Sequence, residues 1–185
     1  MEVRETELPG VLILEPARHG DARGFFTESW NRRTMEAAGL DVEFVQDNMS
    51  LSREAGTIRG LHYQSPPHAQ AKLVSCTRGR ILDVAVDIRR GSPTYGQHVC
   101  IELSFENGLQ LLVPEGFLHG FLTFEDDTVV QYKVTSFYDR DCDAAVRWDS
   151  CGIDWGLSGS PVVSDKDAAA PPFGLLQSPF EWTGA

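Results

Sequence analysis

Apolar residues in this chain recur mostly at a period of two. Leu82, Val84, Val86 and Ile88 alternate with Asp83, Ala85 and Asp87, and Val99, Ile101 and Leu103 alternate again, the signature of half-buried strands. Residues 11–14, 42–45, 109–113, 128–134 and 144–148 read as further extended segments. Turn-rich stretches punctuate them: residues 19–24, residues 91–96, and Glu106-Asn107-Gly108, which reads as a hairpin signal. Residues 46–50 gather polar groups that suit capping, turn chemistry or hydrogen bonds to a ligand. Only residues 31–38 predict a clear helix, with Ser29 or Asn31 to cap it, Met35 to Ala38 as helix formers and Gly39 to end it. Many short strands and almost no helix predict an all-β sandwich or barrel with a few short helices.

Composition narrows the function classes. The 185 residues suffice for one domain with its own core, spanning 1–185, in which 168–185 forms a tail packed on the surface or on a neighbouring subunit. A net charge of −11 counts against a sequence-independent hold on nucleic acid or on an anionic membrane. Local cations still allow an anionic ligand, with Arg23, Arg59 and Lys72 as candidates. The four cysteines lack paired spacing and read as reduced thiols of a cytoplasmic protein. No apolar run has the length needed to span a bilayer as a helix. No glycine-rich loop precedes a helix, which argues against a dinucleotide or nucleoside-triphosphate fold.

The chemistry concentrates around Arg59-Gly60-Leu61-His62. Residues three apart on a regular strand point to opposite faces, but a glycine between them marks a bulge or a close backbone approach. Such a bulge lets Arg59 hold an anion while His62 works on another part of the same molecule; otherwise Arg59 is a solvated charge and His62 a structural histidine.

Gly108, Pro114, Gly116 and His119 are spaced like the second motif of the cupin superfamily of jelly-roll barrels, although Thr123 replaces the usual asparagine. Metal-binding cupins add a His-x-His pair and a glutamate. Here that region offers His62-Tyr63-Gln64, Gln70 and Lys72, and a lysine repels a cation, so no metal is expected.

Motifs running from Asp21 to Asp167 give a closer resemblance. They include Asp21-x-Arg23-Gly24-x-Phe26-x-Glu28, Gln46-Asp47-Asn48-x-Ser50, Arg59-Gly60-Leu61-His62, Gln70-x-Lys72-Leu73-Val74, Tyr132-Lys133 and Ser164-x-Lys166-Asp167. Together they resemble the dTDP-4-dehydrorhamnose 3,5-epimerase family. The resemblance implies a cupin-type jelly roll, generally dimeric, that epimerises a dTDP-linked 4-keto-6-deoxyhexose without a cofactor. By the same resemblance His62 is the base, Asp167 its partner, Tyr132 the acid and Lys72 the enolate contact, its charge lowering the pKa of a nearby phenol. Arg23 and Arg59 match diphosphate contacts, and Glu28, Asp47 and Asn48 match contacts toward the nucleoside. Tyr138 is a candidate for stacking on thymine, and His119, Lys166 and the backbone of Met49 match further substrate contacts. Asp143 stands where the family commonly has glutamate. A single-carbon epimerase and a non-catalytic sugar-nucleotide-binding cupin are the alternatives.

Overall fold

The computed structural model describes residues 1–157 and 159–184. Strands come first in chain order: β1 Glu2–Glu5, β2 Leu12–Glu15, β3 Arg18–Asp21 and β4 Gly24–Thr27. Helix α1, Arg32–Ala37, precedes β5 Gln46–Ser52, β6 Ile58–Gln64, β7 Lys72–Arg78 and β8 Arg80–Asp87. Then follow β9 His98–Ser104, β10 Gln110–Val113, β11 Phe117–Thr123, β12 Thr128–Val134 and β13 Asp143–Ala145, with a short helix α2 at Asp165–Ala168.

Two antiparallel sheets face each other as a jelly-roll barrel. One has the order β1-β2-β10-β7-β12-β5 and the other β13-β6-β11-β8-β9, while β3 and β4 form a separate hairpin. Between the sheets, Val74, Leu111 and Val130 of the first meet Ile81, Leu103 and Phe117 of the second. The outer faces are covered too. Met35 of α1, with Trp30, Leu40 and Phe44, packs on the six-stranded sheet, and Trp155, Phe173 and Phe180 pack on the five-stranded one. Residues 180–182 fasten to their own chain: Arg90 N donates to Phe180 O at 3.0 Å, Trp182 N donates to Arg90 O at 2.9 Å, and Arg89 stacks on the Trp182 ring.

Several segments differ from the sequence reading, each for a physical reason. Residues 46–52 form a strand rather than a turn. Gln46, Asn48, Ser50 and Ser52 are its less exposed positions and Asp47, Met49 and Leu51 its exposed ones, so the alternation is real but inverted, polar inward and partly apolar outward. Residues 42–45 are not a strand; Val42 and Phe44 lie over the outer face of the six-stranded sheet as a strap. Glu106-Asn107-Gly108 is not a hairpin, because β9 and β10 belong to different sheets. It is a corner, held by Asn107 Oδ1 accepting from Ser104 N at 3.0 Å. Strand β8 is buried on both faces, with Asp83 and Asp87 fully enclosed. Strand β1, Glu-Val-Arg-Glu, carries too few apolar residues to announce itself. Helix α1 starts as its sequence suggests, with Asn31 Oδ1 accepting from Arg33 N at 2.9 Å.

Candidate active site

Strands β6 and β11 are out of step by one residue: His119 opposes His62, yet Phe121 opposes Arg59. Three residues of β6 therefore span two of β11, which is the bulge expected at Gly60. A Cβ on Gly60 would lie 2.6 Å from the Gly120 Cα, so the two backbones approach too closely for any side chain. The extra residue turns Arg59 and His62 toward one cavity of about 450 Å³, which also meets Lys72, His119, Tyr132 and Asp167. A second lobe of about 340 Å³, carrying Asn48, Tyr138 and Asp143, shares His62, Lys72, Tyr132 and Lys166 with it.

Residues 162–167 reach this cavity because their chain docks beside β6. Ile58 N donates to Val162 O and Val162 N to Gly56 O, each at 2.9 Å. Helix α2 then begins with Ser164 Oγ accepting from Asp167 N, and Asp167 points inward, 3 % exposed. Its Oδ1 lies 2.6 Å from His62 Nε2 and its Oδ2 accepts from Gly60 N at 3.3 Å. Burial works to raise the Asp167 carboxyl, but the bonds from His62, Gly60 and Ser164 outweigh it and hold it below the usual carboxylate range. An ionised carboxylate only accepts, so His62 donates through Nε2–H and Nδ1 is left as the proton-accepting nitrogen.

On the opposing sheet, Lys72 of β7 and Tyr132 of β12 look into the barrel. Burial brings the Lys72 ammonium down to about 8 against the opposing pull of Asp83 and Asp143. Burial raises the Tyr132 phenol above its ordinary value, with Arg59 opposing. The sequence expectation that Lys72 lowers this phenol is therefore corrected on both counts: the shift is upward, and the cation that opposes it is Arg59.

Arg59 is oriented by β5, donating to Leu51 O at 2.9 Å and to Ser52 Oγ at 3.1 Å. Lys166 pairs with Asp143 Oδ2 at 2.5 Å, and the Tyr138 hydroxyl reaches the same oxygen at 3.3 Å. That bond raises the Lys166 ammonium. His119, buried, donates from Nε2 to Asp83 Oδ1 at 2.8 Å, and burial lowers its imidazole despite Asp83.

Four predicted contacts stand apart from the cavity within one chain. Arg23 sits at the exposed tip between β3 and β4, paired with Asp21 at 2.6 Å. Glu28 accepts from Thr34 Oγ1 at 3.1 Å beside α1. Asp47 points to the other face of β5, where it pairs with Lys133 at 2.8 Å, and the Met49 side chain is 76 % exposed on that same face. Sequence reasoning missed Asp83 as a site group. Its one signal was a carboxylate at an alternating position of a strand whose neighbours on both faces are apolar.

A jelly-roll barrel whose cavity meets His62 of β6 with Asp167 of α2 on one wall, and Lys72 and Tyr132 of the opposing sheet on the other, is a barrel of the cupin class. Residues 5–174 match the family model described as dTDP-4-dehydrorhamnose 3,5-epimerase. The chain belongs to this family. A dTDP-4-dehydrorhamnose 3,5-epimerase of Shigella flexneri is 50% identical over 90% of this chain and 93% of its own. The Bacillus anthracis dTDP-4-dehydrorhamnose 3,5-epimerase, solved with TDP and PPi bound, superposes with a TM-score of 0.90 at 48% identity, covering 92% of this chain and 98% of that one. The Legionella pneumophila dTDP-6-deoxy-D-glucose-3,5-epimerase, solved in complex with dTDP-4-keto-L-rhamnose, gives 0.92 at 41% identity, covering 98% of both.

Proposed function

We propose that this chain inverts C3 and C5 of dTDP-4-dehydro-6-deoxy-D-glucose to give dTDP-4-dehydro-L-rhamnose, by proton transfer through an enolate. The single observation that carries the mechanism is the placement of the His62–Asp167 pair and of Tyr132 on opposite walls of one cavity. Protons at C3 and C5 lie beside the C4 ketone, so removing either leaves an enolate with its charge on oxygen. His62 Nδ1 takes the proton, and Asp167 stabilises the imidazolium that results. Lys72 supplies positive charge to the oxygen, where a preorganised cation in an enclosed site acts most strongly. Tyr132 returns a proton from the other face. A raised phenol pKa suits this role, because the group stays protonated and ready to donate.

Arg59 at the mouth receives the diphosphate, for which a guanidinium has matching geometry. Asn48, Tyr138, Asp143 and Lys166 border the second lobe and line the way to the nucleoside. Residues 1–185 act as one domain and require no cofactor.

The protein works as a homodimer in the cytoplasm. Phe26 is 69 % exposed on the β3–β4 hairpin and Met49 76 % on the edge strand β5, apolar surface and free strand edge that a second copy would cover. Arg23 and Glu28 lie on or beside that hairpin, and a partner's cavity is where these residues would meet a ligand. Among the described residues no helix is long and apolar enough to cross a membrane.

Proton NMR of dTDP-4-keto-6-deoxyglucose in deuterated water with the enzyme tests this function, since C3 and C5 report separately. Exchange and inversion at both carbons are expected. Exchange at one carbon alone identifies a single-carbon epimerase, and exchange at neither identifies a binding protein.

A further inference from the structure

Asp83 is fully enclosed between the sheets, and its two oxygens are treated differently. Oδ1 accepts from His119 Nε2 at 2.8 Å, while Oδ2 has no hydrogen-bond partner among the described residues. A buried carboxylate oxygen without a bond is costly and calls for a compensating charge. His119 does not supply it, because burial lowers its imidazole and favours the neutral form. Lys72 lines the same cavity as His119, the hydrogen-bond partner of Asp83, and itself makes no ion pair within 4.0 Å among the described residues.

We propose that Asp83 is a positioning residue of the site, the fixed anion that holds His119 in one orientation and keeps the Lys72 side chain cationic inside the barrel. The other groups around Lys72 do not take over this task. Cys76, two positions further along the inward face of β7, is pushed up by burial to about 11 and stays neutral. Tyr132 on β12 is also pushed up and neutral. Arg59 on β6 and Lys166 on α2 are cations. Asp167 is bonded to His62, and Asp143 on β13 to Lys166, so each of those anions already has its own partner. His119, with Nε2 donating to Asp83, presents Nδ1 as an acceptor, so one carboxylate sets the tautomer of one neighbour and the charge of the other. Its effect on turnover rests on the enolate role of Lys72; the charge relation itself does not.

The test reads Lys72 directly. Competitive acetylation with acetic anhydride over the neutral to alkaline range, followed by peptide mass spectrometry, gives the midpoint at which Lys72 becomes nucleophilic. In the full chain it should lie at about 8. Asp83→Asn keeps the shape and the acceptor for His119 but removes the charge, and should lower that midpoint by about one unit or more. The alkaline limb of kcat should move down with it while KM for the dTDP-sugar stays nearly constant. A purely structural role for Asp83 instead lowers activity evenly across pH and leaves the midpoint in place, which overturns the proposal. A moved midpoint where the parent chain itself shows no turnover upholds the charge relation and removes the epimerase reading instead. Should Asp83→Asn fail to fold, the reciprocal variant Lys72→Met decides. With the cation gone the enclosed Asp83 carboxylate has no compensating charge, so in urea unfolding at neutral pH Lys72→Met should be less stable than the charge-retaining Lys72→Arg, and equal stability overturns the proposal.

Discussion

His62 and Asp167 are separated by 105 residues of chain and by 2.6 Å in space, Nε2 to Oδ1. The contact depends on two local features: the β6 bulge that turns His62 inward, and the parallel bridge of Val162 to Thr57 that delivers α2 to the cavity wall. Asp167→Asn should retain the fold and an acceptor for Nε2–H while losing the charge that stabilises the imidazolium. A fall in kcat of about 10²-fold or more is expected, with KM little changed, in steady-state assays of the dTDP-sugar.

The same carboxylate carries a stability signature. Its folded-state value lies below the ordinary one, so its contribution is present above about pH 4 and is lost as pH falls through the lowered value. Urea unfolding of parent and Asp167→Asn should therefore differ at neutral pH and converge in strong acid. A gap of constant size down to the acid limit contradicts this assignment.

Lys72 should set the alkaline side of the activity profile. In the proposed mechanism its charge acts at the enolate oxygen, and burial brings its ammonium down to about 8, so kcat should decline above that pH. Tyr132 cannot produce this limb, because its phenol is raised rather than lowered. In whatever activity Lys72→Arg retains, the limb should vanish, since a guanidinium stays charged throughout.

Arg59 is oriented from β5 by two bonds at the cavity mouth. Arg59→Ala should weaken substrate binding by roughly 1.5–3 kcal/mol, the usual worth of hydrogen bonds to a charged group. The loss should largely disappear with a truncated sugar that lacks the nucleotide diphosphate. An equal loss of kcat with both substrates places Arg59 in the chemistry instead.

Much of this was legible in the chain. The Gly60 bulge, the α1 cap at Asn31 and strands β8, β9, β10 and β12 follow from local pattern, because their turn residues and apolar periods act over a few positions. Strand β5 escaped notice since its inward positions line a polar site instead of a core, so hydrophobic alternation has nothing to report. Asp83 escaped for the converse reason. A charge alternating with apolar residues reads as a solvent-facing position until a second layer is known to cover that face. The positions of Arg23 and Glu28 outside the cavity depend on how the β3–β4 hairpin is carried, a tertiary matter that no short window of sequence contains.

Solvent deuterium incorporation in two variants tests the proton-transfer assignment most directly. His62→Ala should abolish label uptake at both C3 and C5, because no enolate forms. Tyr132→Phe leaves the His62–Asp167 pair and Lys72 in place, so label should still enter at one or both carbons from the original face while inversion is lost, at a cost of about 10²–10⁴-fold in epimerisation. Label entering the substrate at near-parental rate in the His62 variant means that another residue is the base, and contradicts the account.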